Sequence, residues 1–271
     1  MENNYYNRLR KICATKHSRL CIGLDFDLEQ MKHNAIKDLD SLESFIKDVV
    51  DSTIDLCSVF KPNFAFYEKY GPPGMALLKN IVDYIGKRSI VIADAKRGDI
   101  GNTSKNYAES IFNYYNFDAI TISPYMGSDA IVPFIDNPEK GVYLLCLTSN
   151  KSASDLQYKF SDQTYLYQDV ANLASSLNNN NNIGLVVGAT KQENMEKIKQ
   201  AAPSLTWLIP GIGAQGGDLE QSVRISNGSE NMGIINVSRS IIYAGNQSLD
   251  DIRAAAINYN QQINQFLDYN E

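Results

Sequence analysis

The sequence predicts a single domain over residues 1–271 with an α/β fold, a (β/α)8 TIM barrel, and three observations carry that prediction. Short apolar runs recur eight times, segments with helical spacing lie between them, and polar or charged residues stand where most of the runs end. Continuous apolar strands are buried on both faces, and strict alternation of strand and helix demands parallel pairing with right-handed crossovers. An open doubly wound sheet uses the same repeating unit. The count and the strand ends favour the barrel: Asp25, Lys61, Asp94, Ser149, Gln215 and Arg239 follow runs one, two, three, five, seven and eight. A barrel gathers all of these around one mouth, whereas an open sheet strings them along an edge.

In chain order, "LCIGLD" (20–25) is the first strand, followed by "SLESFIKDVVDSTIDL", whose apolar residues fall three or four apart on one helix face. "SVFKPN" (58–63) precedes a helix in "GMALLKNIVDYIGK", and "SIVIAD" (89–94) precedes another in "NYAESIFNYYN". "AITIS" (119–123) and "VYLLCL" (142–147) are strands four and five. The polar segment "TSNKSASDLQYKFSDQT" then reads as a mobile lid or as a plain surface loop. Five consecutive asparagines (178–182) predict a solvated loop on the side away from the mouth, ahead of "IGLVVG" (183–188). The helix "QENMEKIKQAA", then "TWLIPG" (206–211) and "GIINVS" (233–238), complete the count.

Composition sets limits. Hydrophobic residues are 44% and charged residues 21% of the chain, which is ordinary for a folded globular protein. The formal charge of -6, with Lys and Arg dispersed, offers no footprint for a phosphate backbone, so no nucleic acid is expected as a partner. Nothing approaches the roughly 18 apolar residues of a membrane span. The start "MENNYYNRLRK" lacks the apolar centre of a signal peptide, and a cytoplasmic location is expected. Cys13, Cys21, Cys57 and Cys146 show no metal-ligand spacing and are expected to be free buried thiols. His17 and His33 read as surface residues, which removes histidine-based triads.

The chemistry concentrates in "DAKRGDIGNTS" (94–104), where an apolar strand runs straight into charge. Asp94 and Lys96, two apart on a strand, point to the same side, and Asp99 follows in a turn permitted by Gly98 and Gly101. Lys96 is thus expected between two carboxylates, which favour its ammonium form and suit it to be an acid rather than a Schiff-base nucleophile. Lys61 adds a second cation, giving an alternating Lys-Asp-Lys-Asp array. A fixed ammonium stabilises a developing carbanion and then protonates it, while a neighbouring carboxylate favours departure of a substrate carboxylate. This combination suits decarboxylation without a metal. At the other end, "PGIGAQGGD" (210–218) contains a literal GxGxxG, but after the seventh strand the chain is too short to complete a dinucleotide fold. In a barrel that loop and the next one form the usual phosphate site, with Gln215 donating an amide and Arg239 a planar fork.

The stretches "CIGLDFD", "FKPNFAFYE", "DAKRGDIGNTS", "LTSN", "GLVVGAT", "PGIGAQGGD" and "NVSRSI" occur in an order that resembles the orotidine 5'-monophosphate decarboxylase family, in its longer bacterial-type form. The resemblance implies conversion of orotidine 5'-monophosphate to UMP and carbon dioxide, the last step of de novo pyrimidine nucleotide synthesis, with no cofactor and no metal. It implies that Lys96 protonates C6, Asp94 lies against the departing carboxylate, and Lys61 and Asp99 complete the array. Asp25 and Lys61 hold ribose hydroxyls, Ser149 contacts the pyrimidine, Pro210 binds substrate, and Gln215 and Arg239 match the phosphate ligands. It also implies a homodimer with shared sites, in which Asp99, Ile100 and Thr103 reach into the partner's. Lys151 and Ser152, where the family often has Pro-Gly, and Phe26 in the first motif depart from the pattern. Magnesium-dependent sugar-phosphate decarboxylases or aldolases of the same superfamily also carry Asp-x-Lys-x-x-Asp and are the alternative reading.

Overall fold

In a computed structural model, which describes residues 4–189, 191–213, 218–228 and 231–267, the expected apolar runs form one closed parallel barrel of eight strands. These are β1 (Leu20–Gly23), β2 (Val59–Lys61), β3 (Ile90–Arg97), β4 (Ala119–Ile122), β5 (Gly141–Leu147), β6 (Ile183–Val187), β7 (Thr206–Ile209) and β8 (Gly233–Val237). Each pairs with its successor, and β8 returns to β1 with Leu20 opposite Ile235. Every residue of β1, β2, β4, β6, β7 and β8 is buried, because side chains pointing outward meet helices and those pointing inward fill the barrel.

Two apolar layers result. Inward-facing Cys21, Val59, Ile92, Ala119, Val186, Leu208 and Ile234 pack around Tyr143, while the helices seal the outside with residues such as Leu42, Ile46, Leu78 and Ile81. The bottom is closed by α1 (Tyr5–Lys16), whose first turn is capped by Asn4 accepting from the Asn7 N–H at 2.9 Å. Tyr5, Leu9 and Cys13 of α1 join the inner layer, and the Tyr5 and Tyr143 hydroxyls meet at 3.0 Å. The barrel therefore opens at the C-terminal ends of its strands.

Outer helices run over α2 (Leu39–Thr53), α3 (Gly71–Ile85), α4 (Gly101–Glu109), α5 (Leu166–Leu177), α6 (Gln192–Ala201), α7 (Leu219–Ser226) and α8 (Leu249–Phe266). The helix through "NYAESIFNYYN", expected to begin near Asn102 or Thr103, begins at Gly101, and its end over Ser110–Tyr114 widens into a π turn. All four cysteines are free and buried, and both histidines are exposed, as expected.

Two loops carry more structure than their polarity suggested. The asparagine run is a hydrogen-bonded seam, not a solvated loop throughout: Asn182 is buried and its amide donates to the carbonyls of Ile135, Asn137 and Lys140 at 3.0–3.1 Å. Asn178 Oδ1 accepts from the N–H groups of Asn182 and Ile183. The segment after β5 forms a 3-10 turn (Lys151–Asp155) and a short ribbon pairing Phe160–Ser161 with Thr164–Tyr165. Asp162 and Gln163 turn that ribbon with positive φ.

Candidate active site

The open end of the barrel holds a cavity of about 710 Å³, lined by Asp25, Lys61, Asp94, Lys96, Ser149, Pro210 and Arg239 among others. Asp94 is its centre. Past the end of regular β2, the Asp94 N–H still donates to Pro62 O and Asp94 O still accepts from the Phe64 N–H, so its backbone is fixed on both sides. Lys61 Nζ lies 2.8 Å from Asp94 Oδ2, and the two side chains are 4% and 12% exposed. Lys96 Nζ is ion-paired to Asp94 Oδ1, which also accepts from the Thr121 hydroxyl at 3.1 Å. Burial alone would raise the Asp94 carboxyl, but the charges of Lys61 and then Lys96 overcome it and hold the group well below the usual carboxylate range. Burial likewise works against the Lys61 ammonium, and Asp94 and Asp25 overcome it, raising its pKa.

Lys96 reaches this position through an irregularity that alternation did not disclose. Ala93 lies opposite Ile120 and Arg97 opposite Ile122, so β3 bulges in between, and Lys96 takes a left-handed φ of 47°. Such a backbone is uncommon outside glycine and persists where its surroundings hold it. Thr121 does so, its hydroxyl accepting from the Lys96 N–H at 3.2 Å while donating to Asp94. The one hydroxyl inside the apolar run of β4 is the signal by which Thr121 was open to detection.

Asp25 follows β1, its Oδ1 accepting from the Asn63 N–H at 3.2 Å. Across the β1–β8 seam lies Ser238, so close that a Cβ on Gly23 would stand 1.8 Å from Ser238 Oγ. Arg239 opens a one-turn helix (Arg239–Ile242) beyond β8. Beside it the loop after β7 turns at Gly211 and Gly213, with φ of 100° and 79°, conformations that glycine adopts without cost. Gln215 lies outside the described residues. On the facing wall Ser149, Asn150 and Lys151 line the cavity, and Gly188 lets β6 approach the Ser149 backbone, where a Cβ would stand 2.8 Å from Ser149 N.

The expectation that Lys96 lies between two carboxylates is corrected within the single chain: Asp94 lies between two lysines. Asp99, Ile100 and Thr103 are not among the residues that line the cavity of their own subunit; they stand at the start of the helix that follows β3. The Asp99 carboxylate accepts from the Ile100 N–H at 2.8 Å, and both Ile100 and Thr103 are exposed. Among the described residues, no three His, Cys, Asp or Glu side chains are grouped to hold a metal ion.

These features define a class, the (β/α)8-barrel enzymes with an array of alternating lysine and aspartate at the ends of β2 and β3. The chain belongs to the orotidine 5'-phosphate decarboxylase / HUMPS family, whose model matches residues 18–250. An orotidine 5'-phosphate decarboxylase of Dehalococcoides mccartyi (strain CBDB1) is 40% identical over 97% of this chain and 98% of its own. One from Porphyromonas gingivalis (strain W83) is 41% identical over 87% of each chain. The solved OMP decarboxylase of Leishmania donovani superposes with a TM-score of 0.85 at 37% identity, covering 97% of this chain and 99% of that one.

Proposed function

We propose that the protein is a carboxy-lyase that converts orotidine 5'-monophosphate to UMP and carbon dioxide in pyrimidine nucleotide synthesis, using no cofactor. The observation that carries this reading is a buried carboxylate, Asp94, kept ionised between two ammonium groups in the mouth of the barrel. With the pyrimidine seated against Ser149, its carboxylate lies near Asp94, whose fixed negative charge disfavours the bound acid anion more than the product. As the carbon–carbon bond breaks, carbon dioxide leaves and the electron pair remains at C6. Lys96 stabilises that pair by charge and then delivers a proton to it, becoming a neutral amine that solvent reprotonates. Asp25 and Lys61 bind the ribose hydroxyls, Pro210 contacts the substrate, and Gln215 and Arg239 receive the phosphate.

The working unit in this reading is a homodimer. Ile100, Tyr107, Tyr125, Met126 and Val132 are 49%, 37%, 81%, 50% and 42% exposed around the segment that carries Asp99 and Thr103. A second copy covering that apolar face would bring Asp99, Ile100 and Thr103 to its own mouth. A cytoplasmic location is proposed with it; among the described residues, no helix is long and apolar enough to cross a membrane.

The test is the loss of orotidylate ultraviolet absorbance with pure wild type and Lys96→Ala. Wild type is expected to turn over and the variant to be slower by at least about a hundredfold, as for loss of a general acid; equal rates would sink the assignment. Exhaustive treatment with EDTA should leave wild-type activity intact. A strict magnesium requirement would instead favour the sugar-phosphate alternative. Asp94 is poorly suited to that role, since its oxygens already accept from Lys61, Lys96 and Thr121.

A further inference from the structure

Tyr243 stands at the end of the one-turn helix that Arg239 begins, its N–H donating to Arg239 O at 3.1 Å. Its side chain crosses to the other side of the β1–β8 seam. There the hydroxyl accepts from the Asp27 N–H at 2.9 Å and donates to Asp25 O at 3.2 Å, so that it clasps the backbone on both sides of Phe26. The Phe26 ring, the residue at which the first motif departs from its family pattern, packs edge-on against the Tyr243 ring with centroids 6.2 Å apart. Burial pushes the phenol up to about 12, so the hydroxyl stays a donor throughout the neutral range.

We propose that Tyr243 is a positioning residue that fixes the Asp25 segment relative to the Arg239 helix, and so sets the span across which the two ends of a nucleoside monophosphate are held. The proposal rests on the roles given above to Asp25 and Arg239, and extends them to a residue that does not itself reach the ligand. Asp25 and Arg239 belong to segments far apart in sequence, and each grips a different end of the substrate in that reading. Their combined hold assists the reaction only while their separation is fixed, because a displacement of about 1 Å in a positioning group can cost on the order of a hundredfold in rate. The hydroxyl links the Asp25–Asp27 backbone directly to the last residue of the Arg239 turn. Farther along the same loop, the Lys32 N–H donates to Gln247 Oε1 at 2.9 Å and the Gln247 amide donates to Gln30 O at 3.0 Å, while the Tyr70 hydroxyl accepts from the Leu28 N–H at 3.1 Å.

Tyr243→Phe keeps the ring against Phe26 and removes only the clasp. A residue that merely supported the fold would, when altered, weaken turnover of any substrate equally. A residue that sets the span matters only when both ends are gripped. Turnover is therefore compared on orotidine 5'-monophosphate and on orotidine, which lacks the phosphate. For the nucleotide, kcat/KM is expected to fall about tenfold, the scale of one or two lost hydrogen bonds, mainly through KM. For the nucleoside it should fall less than about twofold, because the Arg239 end is unused. In an Arg239→Ala background, the same change should cost less than about twofold on the nucleotide as well. Equal losses on the two substrates, or an undiminished tenfold loss beside Arg239→Ala, would overturn the proposal while leaving the decarboxylase reading in place. A wild type that leaves orotidylate absorbance unchanged would overturn both.

Discussion

Lys61 and Asp94 stand on adjacent strands with their charged atoms 2.8 Å apart and almost no solvent between them and the barrel interior. The arrangement explains why an apolar strand leads directly into charge. Burial works against the charge on both, and it is overcome at Asp94 by Lys61 and then Lys96, and at Lys61 by Asp94 and then Asp25. Lys96, half-exposed at the rim, then meets a carboxylate already fixed by Lys61 and Thr121 and needs no rearrangement to find it.

Removing one member of this pair should cost far more than removing both. Asp94→Ala leaves the Lys61 ammonium buried beside no carboxylate on its own strand pair, and a loss of about 3–5 kcal/mol in unfolding free energy is expected. Lys61→Met combined with Asp94→Leu should lose less than either single change implies, because no buried charge is left over. Urea unfolding of Asp94→Ala, of the Lys61→Met and Asp94→Leu single variants and of their double variant decides the matter; strictly additive losses would show that the two groups do not hold each other.

The pH dependence follows from the directions of the two shifts. Asp94, lowered from 3.8, contributes stability that is present above that value and is lost as pH falls through its lower native value. Lys61, raised from 10.5, contributes stability that is present below that value and is lost only as pH rises through its higher native value. Between those limits neither group titrates. The difference in unfolding free energy between wild type and the double variant should therefore be flat from about pH 5 to about pH 9. A slope there would mean that another group supplies the stabilisation.

The sequence disclosed the barrel because its signals are local: eight apolar runs, helical spacing between them, and a polar or charged residue at the end of most strands. Asp94, Lys96 and Lys61 were legible for the same reason, since buried strands rarely end in unexplained charges. What remained hidden depends on through-space neighbours. The bulge that turns Lys96 to a left-handed φ is fixed by Thr121 on the next strand, and no spacing rule within β3 reveals it. Asn182 looked like part of a polar tract, yet three carbonyls from the segment ahead of β5 converge on its amide. Tyr243 clasps a loop that lies more than two hundred positions away and is adjacent only because the barrel closes β8 onto β1. Asp99 looked like a second neighbour for Lys96 because sequence proximity is blind to the bulge at Lys96, beyond which Asp99 is not among the residues that line the cavity.

Gly23 tests how tightly the mouth is assembled at that closure. A Cβ there would fall 1.8 Å from Ser238 Oγ and 3.2 Å from Asp25 Oδ2, so Gly23→Ala must push apart the two segments that carry Asp25 and Arg239. An overpacking loss of about 1–3 kcal/mol is expected in thermal or urea unfolding. KM for orotidylate should rise as well, since both displaced segments face the cavity. Unchanged stability and KM would show that Ser238 simply rotates away.

The proposed sharing of sites between subunits yields to a mixing experiment. Asp99→Ala removes a carboxylate whose hydrogen bond within its own subunit is to the adjacent Ile100 N–H, so the altered chain should fold normally and lose activity. Lys96→Ala, at a half-exposed rim position, should do the same. If Asp99 serves the partner's mouth, each mixed dimer holds one site with both lesions and one with neither. Unfolding and refolding the two variants together in equal amounts should then recover about a quarter of the wild-type activity, as expected for random pairing in a twofold-symmetric dimer. If Asp99 serves its own mouth, every site in every dimer carries a lesion, and the mixture remains as inactive as its components. Sedimentation of the refolded mixture as a dimer, with no recovered activity, would therefore refute the shared site while leaving the dimer itself intact.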